Sequence, residues 1–185
     1  MSVTTCRQSP FFTIQRLTEV RKATIGDRGE DIIGIYLVLN GCLTITDKRS
    51  CSTLTANHLY WAGYDRFRRI IPEPDAEGYA IRFSRSFLQT TDAGSLTSCL
   101  AAFCPLPLTG DTIQLEKSFL DEGRGLCELM RQEFDGCSDF KTQVLRSLLS
   151  IFLLHLVRRS NILMVVSVDE RRLQRATSSE ALLFV

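Results

Sequence analysis

The chemistry a small protein can perform is set first by its ligating and nucleophilic side chains. This chain has two histidines, His58 and His155, and seven cysteines, Cys6, Cys42, Cys51, Cys99, Cys104, Cys127 and Cys137. Small β folds that hold a metal do so through clustered histidines. Here neither H-x-H nor H-E-x-x-H occurs, and no C-x-x-C offers a thiolate cluster in their place. Two histidines on different elements cannot build a three-histidine centre, so the expectation is no metal and no cofactor. A nucleophile is no easier to find. There is no G-x-S-x-G, and no cysteine has a histidine partner legible from spacing. Gly123-Arg124-Gly125 falls inside a helical pattern instead of the strand–turn–helix setting of a phosphate loop. Asp121-Glu122 and Asp169-Glu170 read as solvated charges, and no catalytic residue is assigned.

Binding chemistry is better represented. Arg66 and Arg68 share one face of a candidate strand, and Arg82 sits on the next. A guanidinium is a fork of donors suited to a carboxylate, a phosphate or sugar hydroxyls. Phe12, Tyr36, Tyr60 and Trp61 are strand residues able to wall a cavity beside them. The candidate effector-binding set is therefore Phe12, Tyr36, Trp61, Arg66, Arg68 and Arg82, and strand parity alone decides which of them point inward.

Those side chains need a scaffold, and the composition supplies one. At 185 residues and 20.9 kDa, with 44% hydrophobic and 23% charged residues, the chain can bury a core without a metal or disulfide. The net charge of +1 gives no field that would gather nucleic acid or an anionic membrane. The odd, scattered cysteines, the lack of a signal-like N-terminus and the lack of an apolar run of spanning length predict a cytoplasmic protein with reduced thiols.

The first half reads as short strands. Phe11–Leu17, Ile32–Leu39, Cys42–Thr46, Ser52–Trp61, Arg66–Ile71 and Tyr79–Phe83 alternate or are β-rich, with turn residues between them. Asn40-Gly41 suits a two-residue hairpin turn joining the second and third of these. Cys42 and Cys51 flank the next turn and can face one another. Many short strands at close intervals predict a sandwich or small barrel. The second half has helical periodicity over about Leu115–Phe134 and Phe140–Arg159, the latter apolar almost all round from Leu148 to Val157. Such a helix on the outside of a barrel needs two partners, and one of them can be its own copy.

Taken in order, several segments resemble the N-terminal half of AraC/XylS-family bacterial transcription regulators. Ile35–Ile45 (IYLVLNGCLTI) is similar to their hairpin with a central glycine, and Leu54–Gly63 (LTANHLYWAG) to the strand that usually ends in a Pro-Gly corner, with Ala62-Gly63 in its place. Gly78–Leu88 (GYAIRFSRSFL) resembles the family's Gly-Tyr-x-Ile-x-Phe-Ser-x-x-Phe-Leu segment, and residues 128–161 resemble the helical pair that follows. The resemblance spans about residues 10–161.

It implies an α+β chain with a cupin-like effector-binding barrel over 1–110, a helical dimerisation segment over 111–161, and a linker with the possible start of a helix-turn-helix domain over 162–185. The function it implies is that of a non-enzymatic sensor. A small effector would enter the barrel, and Arg66, Arg68 and Arg82 lean toward an anionic or sugar-like one. A homodimer would form through an antiparallel coiled coil, its seam carried by Leu148, Ile151, Phe152, His155 and Leu156. Operator DNA would be met only by a C-terminal part absent from this sequence. A metal-free cupin-like isomerase or lyase and a ligand-free dimerisation scaffold stay open as alternatives.

Overall fold

A computed structural model describes residues 11–20, 23–25, 32–46, 51–62, 68–88 and 112–158. Arg66 and the segment 162–185 lie outside the described residues. The described chain runs β1 (Phe12–Arg16), a 3₁₀ turn (Leu17–Glu19), β2 (Ala23–Ile25), β3 (Ile32–Asn40), β4 (Cys42–Thr46), β5 (Cys51–Thr55), β6 (His58–Ala62), β7 (Arg68–Pro72), β8 (Glu77–Ser84), α1 (Arg85–Leu88), β9 (Thr112–Gln114) and α2 (Lys117–Asp135). A further helix, α3, occupies 141–158. The expected α+β class, strands first and helices last, is observed.

The strands form two antiparallel sheets. The larger has the order β1-β8-β3-β6-β9, the smaller β2-β7-β4-β5. This overturns the expected hairpin at Asn40-Gly41. β3 pairs with β6 and β8, β4 pairs with β5 and β7, and so the chain changes sheet at Gly41. Gly41 has φ +68°, and a Cβ there would stand 2.6 Å from the Asp75 carbonyl oxygen. A close backbone approach at a corner thus explains the glycine. The predicted strand Ser52–Trp61 is likewise two strands in different sheets, broken at Asn57 with φ 63°. The Asn57 N–H donates to the Val38 carbonyl at 2.9 Å, which ties that corner to the larger sheet. Cys42 pairs with Thr55 and Cys51 with Thr46, so the two cysteines stand at opposite ends of the hairpin and do not face each other.

Both faces of the larger sheet are buried, in two separate cores. Tyr36, Val38, Tyr60, Ala62 and Ala80 look toward the smaller sheet and meet Leu43, Ile45, Leu54 and Ile70. Ile35, Leu37, Trp61, Ile81 and Phe83 look the other way, onto α2 and α3. Along β8, Tyr79, Ile81 and Phe83 face the helices and Ala80 the smaller sheet.

The two helices are antiparallel. Phe119 near the start of α2 meets Phe152 of α3 with ring centroids 5.9 Å apart, and at the other end the Lys141 ammonium sits 5.1 Å above the Phe134 ring. Gly123 lies between them and the sheet, where a Cβ would already touch Phe119, Phe152 and Leu37. β9 pairs with β6, so residues 112–114 belong to the larger sheet and not to the helical segment that begins, in the sequence reading, at 111.

Candidate functional site

The inner face of the larger sheet alternates large polar residues with very small ones. One row across the strands reads Ala62, Gly34, Arg82, Thr13; the next reads Tyr60, Tyr36, Ala80, Gln15. Tyr36 therefore has Ala80 beside it, and Arg82 has Gly34. Tyr36 and Tyr60 stand with ring centroids 6.4 Å apart. Both rings are buried, among aliphatic residues of the two sheets.

The Tyr36 hydroxyl has no hydrogen-bond partner among the described residues. A buried phenol without a partner costs free energy, and proteins keep such a group where something else can satisfy it. Burial pushes the Tyr36 pKa up, opposed by the guanidinium of Arg82 close by, and the phenol stays a neutral donor at every physiological pH. Arg82 is half-buried, with its guanidinium 5.9 Å from the centroid of the Phe11 ring at the edge of the sheet. Two phenols buried among aliphatic residues thus share this face with Arg82. That arrangement can donate to an acceptor-rich or anionic group and hold an apolar body against the alanines. It contains no acid–base pair. Among the described residues no group of three or more His, Cys, Asp or Glu is placed to hold a metal ion.

The structure divides the six effector residues predicted from sequence. Tyr36 and Arg82 lie on the same face of the larger sheet, on the paired strands β3 and β8. Phe12 and Trp61 both lie on the opposite face of the sheet. Phe12 stacks on Phe87 at 4.9 Å and leans on Phe134 at 6.0 Å, and these contacts fix it in the helix-facing core. Arg68 is placed by its backbone, opposite Ile25 in the smaller sheet, and Arg66 lies outside the described residues. Gly34, absent from the sequence-based set, faces Arg82 across the strands. No motif marks it; only the register does.

The predicted seam divides in the same way. Phe152 and Leu156 are fully buried inside the chain and cannot meet a second copy. Leu148 and His155 are half-buried, with His155 Nδ1 3.1 Å from a Glu122 carboxylate oxygen of α2. Ile151 is 42% exposed, and on the same flank of α3 Phe140 is 69% and Val144 38% exposed. Spaced by three and four residues, Phe140, Val144, Leu148, Ile151 and His155 form one stripe. No helix among the described residues is long and apolar enough to cross a membrane.

No family model matches the chain, and no curated protein matches it. Among solved structures it is similar to an apo form of ToxT from Vibrio cholerae, with 12% identity and a TM-score of 0.49 over 83% of this chain and 58% of that one. It is similar to the AraC-like transcriptional activator CuxR at 11% identity and TM-score 0.38, over 78% of this chain and 48% of CuxR. A cupin-2 domain containing protein from Shewanella frigidimarina matches 39% of this chain and 68% of its own length, at 16% identity and TM-score 0.29. The chain thus spans less than two thirds of the ToxT and CuxR chains it matches.

Proposed function

We propose that this chain is the sensor and dimerisation part of an AraC-type bacterial transcription regulator. A small molecule with an anionic or hydroxyl-rich head binds in the recess of Tyr36, Tyr60 and Arg82. A second copy of the chain covers the Phe140–Val144–Ile151 stripe, and operator DNA is met by another part of the whole protein. The observation that carries the reading is the fully buried Tyr36 hydroxyl, without a partner among the described residues and on the same face as Arg82. The resemblance over residues 10–161, from the Gly78–Leu88 segment to the helical pair, supplies the family. The effector acts by binding two arrangements of the dimer with different affinity, since equal affinity would shift nothing.

Thermal unfolding of wild type and Arg82→Met against a panel of small carboxylates, phosphates and sugars tests the site. Any ligand that binds the folded state alone raises its melting temperature by mass action. At least one member should do so saturably in the wild type, with the response lost in Arg82→Met and the unliganded melting temperature shifted by only a few degrees. Silence across the panel would leave a dimerisation scaffold, and an undiminished response in the variant would remove Arg82 from the site. Chemical conversion of the bound molecule would make the chain an enzyme.

A further inference from the structure

A second concavity lies on the outside of the larger sheet, away from the recess. It is a half-open cleft of about 650 Å³ between the 3₁₀ turn, the adjoining ends of β3 and β8, and the first half of α2. Its volume is in the range of small-molecule sites. Leu39 and Tyr79 give it an apolar floor, and five charged residues reach it.

Most of those charges are already engaged. Glu128 accepts from the Tyr79 hydroxyl at 2.8 Å and from Arg16 at 3.0 Å, with Arg131 a further 3.6 Å away. Glu77 accepts from the Asn40 side-chain amide at 2.9 Å. Two remain. Asp121 and Arg124 both reach the cleft, and neither has a hydrogen-bond or ionic partner among the described residues. They stand three residues apart on α2, a spacing that makes them neighbours on the helix surface with Cβ atoms about 5–6 Å apart. Beside them Gly125 leaves the helix bare, and a Cβ there would meet nothing within 4 Å. Glycine within a helix is destabilising, and here no neighbour requires it for packing. What it does is keep the cleft open below one free acid and one free base.

We infer that this cleft binds a small zwitterion of the amino-acid type with an uncharged side chain. Its ammonium pairs with Asp121, its carboxylate with Arg124, and its side chain lies over Gly125 against Leu39 and Tyr79. A cation or an anion alone would leave one of the two charges unmatched. The occupant would bridge α2 to the sheet, an input separate from the recess.

The test is calorimetric titration of the full chain with L-phenylalanine and L-leucine, beside 3-phenylpropanoate and 2-phenylethylamine, each of which lacks one charge. At least one amino acid should bind saturably, and each single-charge analogue at least tenfold more weakly. Gly125→Leu fills the cleft at an exposed helical position and should abolish binding without lowering the melting temperature. Asp121→Asn and Arg124→Gln should each weaken it tenfold or more, while Arg82→Met leaves it intact. No binding by either amino acid, undiminished binding in Gly125→Leu, or loss of binding in Arg82→Met would each overturn the inference. The last would move the ligand to the recess, and a recess response to the carboxylate panel survives all three outcomes.

Discussion

The two faces of the larger sheet are both buried, yet they are built to different ends. The helix-facing side is apolar and aromatic: Phe12, Trp61, Phe83, Phe87, Phe119 and Phe152 fill it, with aliphatic side chains between. At its margin the Tyr79 hydroxyl and Arg16 both donate to Glu128. The side facing the smaller sheet carries two tyrosines beside Ala62, Gly34 and Ala80, and the Tyr36 hydroxyl has nothing to donate to among the described residues. A face optimised for stability would have filled the small positions and removed the hydroxyl. The first face is packed with aromatic rings; the second keeps a buried phenol that no described residue satisfies.

That contrast is broken most directly on the stable side. Phe152 is fully buried between Phe119 and the sheet, and it packs where Gly123 lets α2 approach closely. Phe152→Ala should cost about 3–5 kcal/mol, the usual range for deleting a buried aromatic ring. Urea unfolding measures it directly. A loss below about 1 kcal/mol would mean that the helix-facing core is not where the stability resides.

Next in size is the stripe on the far flank of α3. Val144→Glu with Ile151→Glu places two carboxylates at positions 38% and 42% exposed in the single chain. The monomer fold should tolerate them within about 1 kcal/mol. Self-association should weaken at least about a hundredfold, or about 2.7 kcal/mol, read by sedimentation across a concentration series. If the wild type is already a monomer, or the variant associates undiminished, the second copy does not sit here.

Phe152 also marks where sequence reasoning stopped. Periodicity located α2 and α3 to within a few residues, and it gave the β4 and β8 alternations correctly, because these depend on neighbours along the chain. It could not say which aromatics point into the recess, since a sheet buried on both faces has apolar residues at odd and even positions alike. Phe12 and Trp61 went to the helix side and Tyr36 to the other on register alone. Nor could it distinguish a hairpin from a corner at Asn40-Gly41. Both need a positive φ, and the choice is made by the Asp75–Ala76 backbone more than thirty residues away. The three-residue strands β2 and β9 are too short to show a period of two. The cleft under α2 left no motif, because its two free charges acquire meaning only when the charges around them are seen to be paired.

On the recess side the expected effect on stability is small and of opposite sign. Tyr36→Phe removes a buried hydroxyl that no described residue satisfies and keeps the ring against Tyr60. Stability should rise or stay within about 1 kcal/mol, because no protein hydrogen bond is lost. The ligand response should fall even so. A loss of 2 kcal/mol or more in the unliganded protein would show that the hydroxyl is held by the fold itself, by the scale for a satisfied buried group, and the contrast between the two faces would disappear.

The smallest effect tests the Tyr79–Glu128–Arg16 chain at the margin of the helix side. The Tyr79 hydroxyl, against the cost of burial, and then Arg16 and Arg131 hold the Glu128 carboxyl below its usual range. A depressed carboxylate contributes stability that is present above the unfolded-state pKa, about 4.3, and is lost as pH falls through the folded value. Tyr79 works in the other direction: burial and then Glu128 push its phenol to about 12. Its contribution is present below the unfolded value of about 10 and is lost as pH rises toward the folded one. Glu128→Gln should therefore lower stability near neutral pH, leave the acid end nearly unchanged, and so make the acid limb shallower. With the Glu128 side chain 31% exposed, the difference is a few tenths to about 1 kcal/mol. Urea midpoints of both proteins at about pH 7 and about pH 3 measure it. Equal losses of stability over that interval would mean that solvent screens the Tyr79–Glu128–Arg16 chain completely, and the helix-facing side would then owe its stability to apolar packing alone.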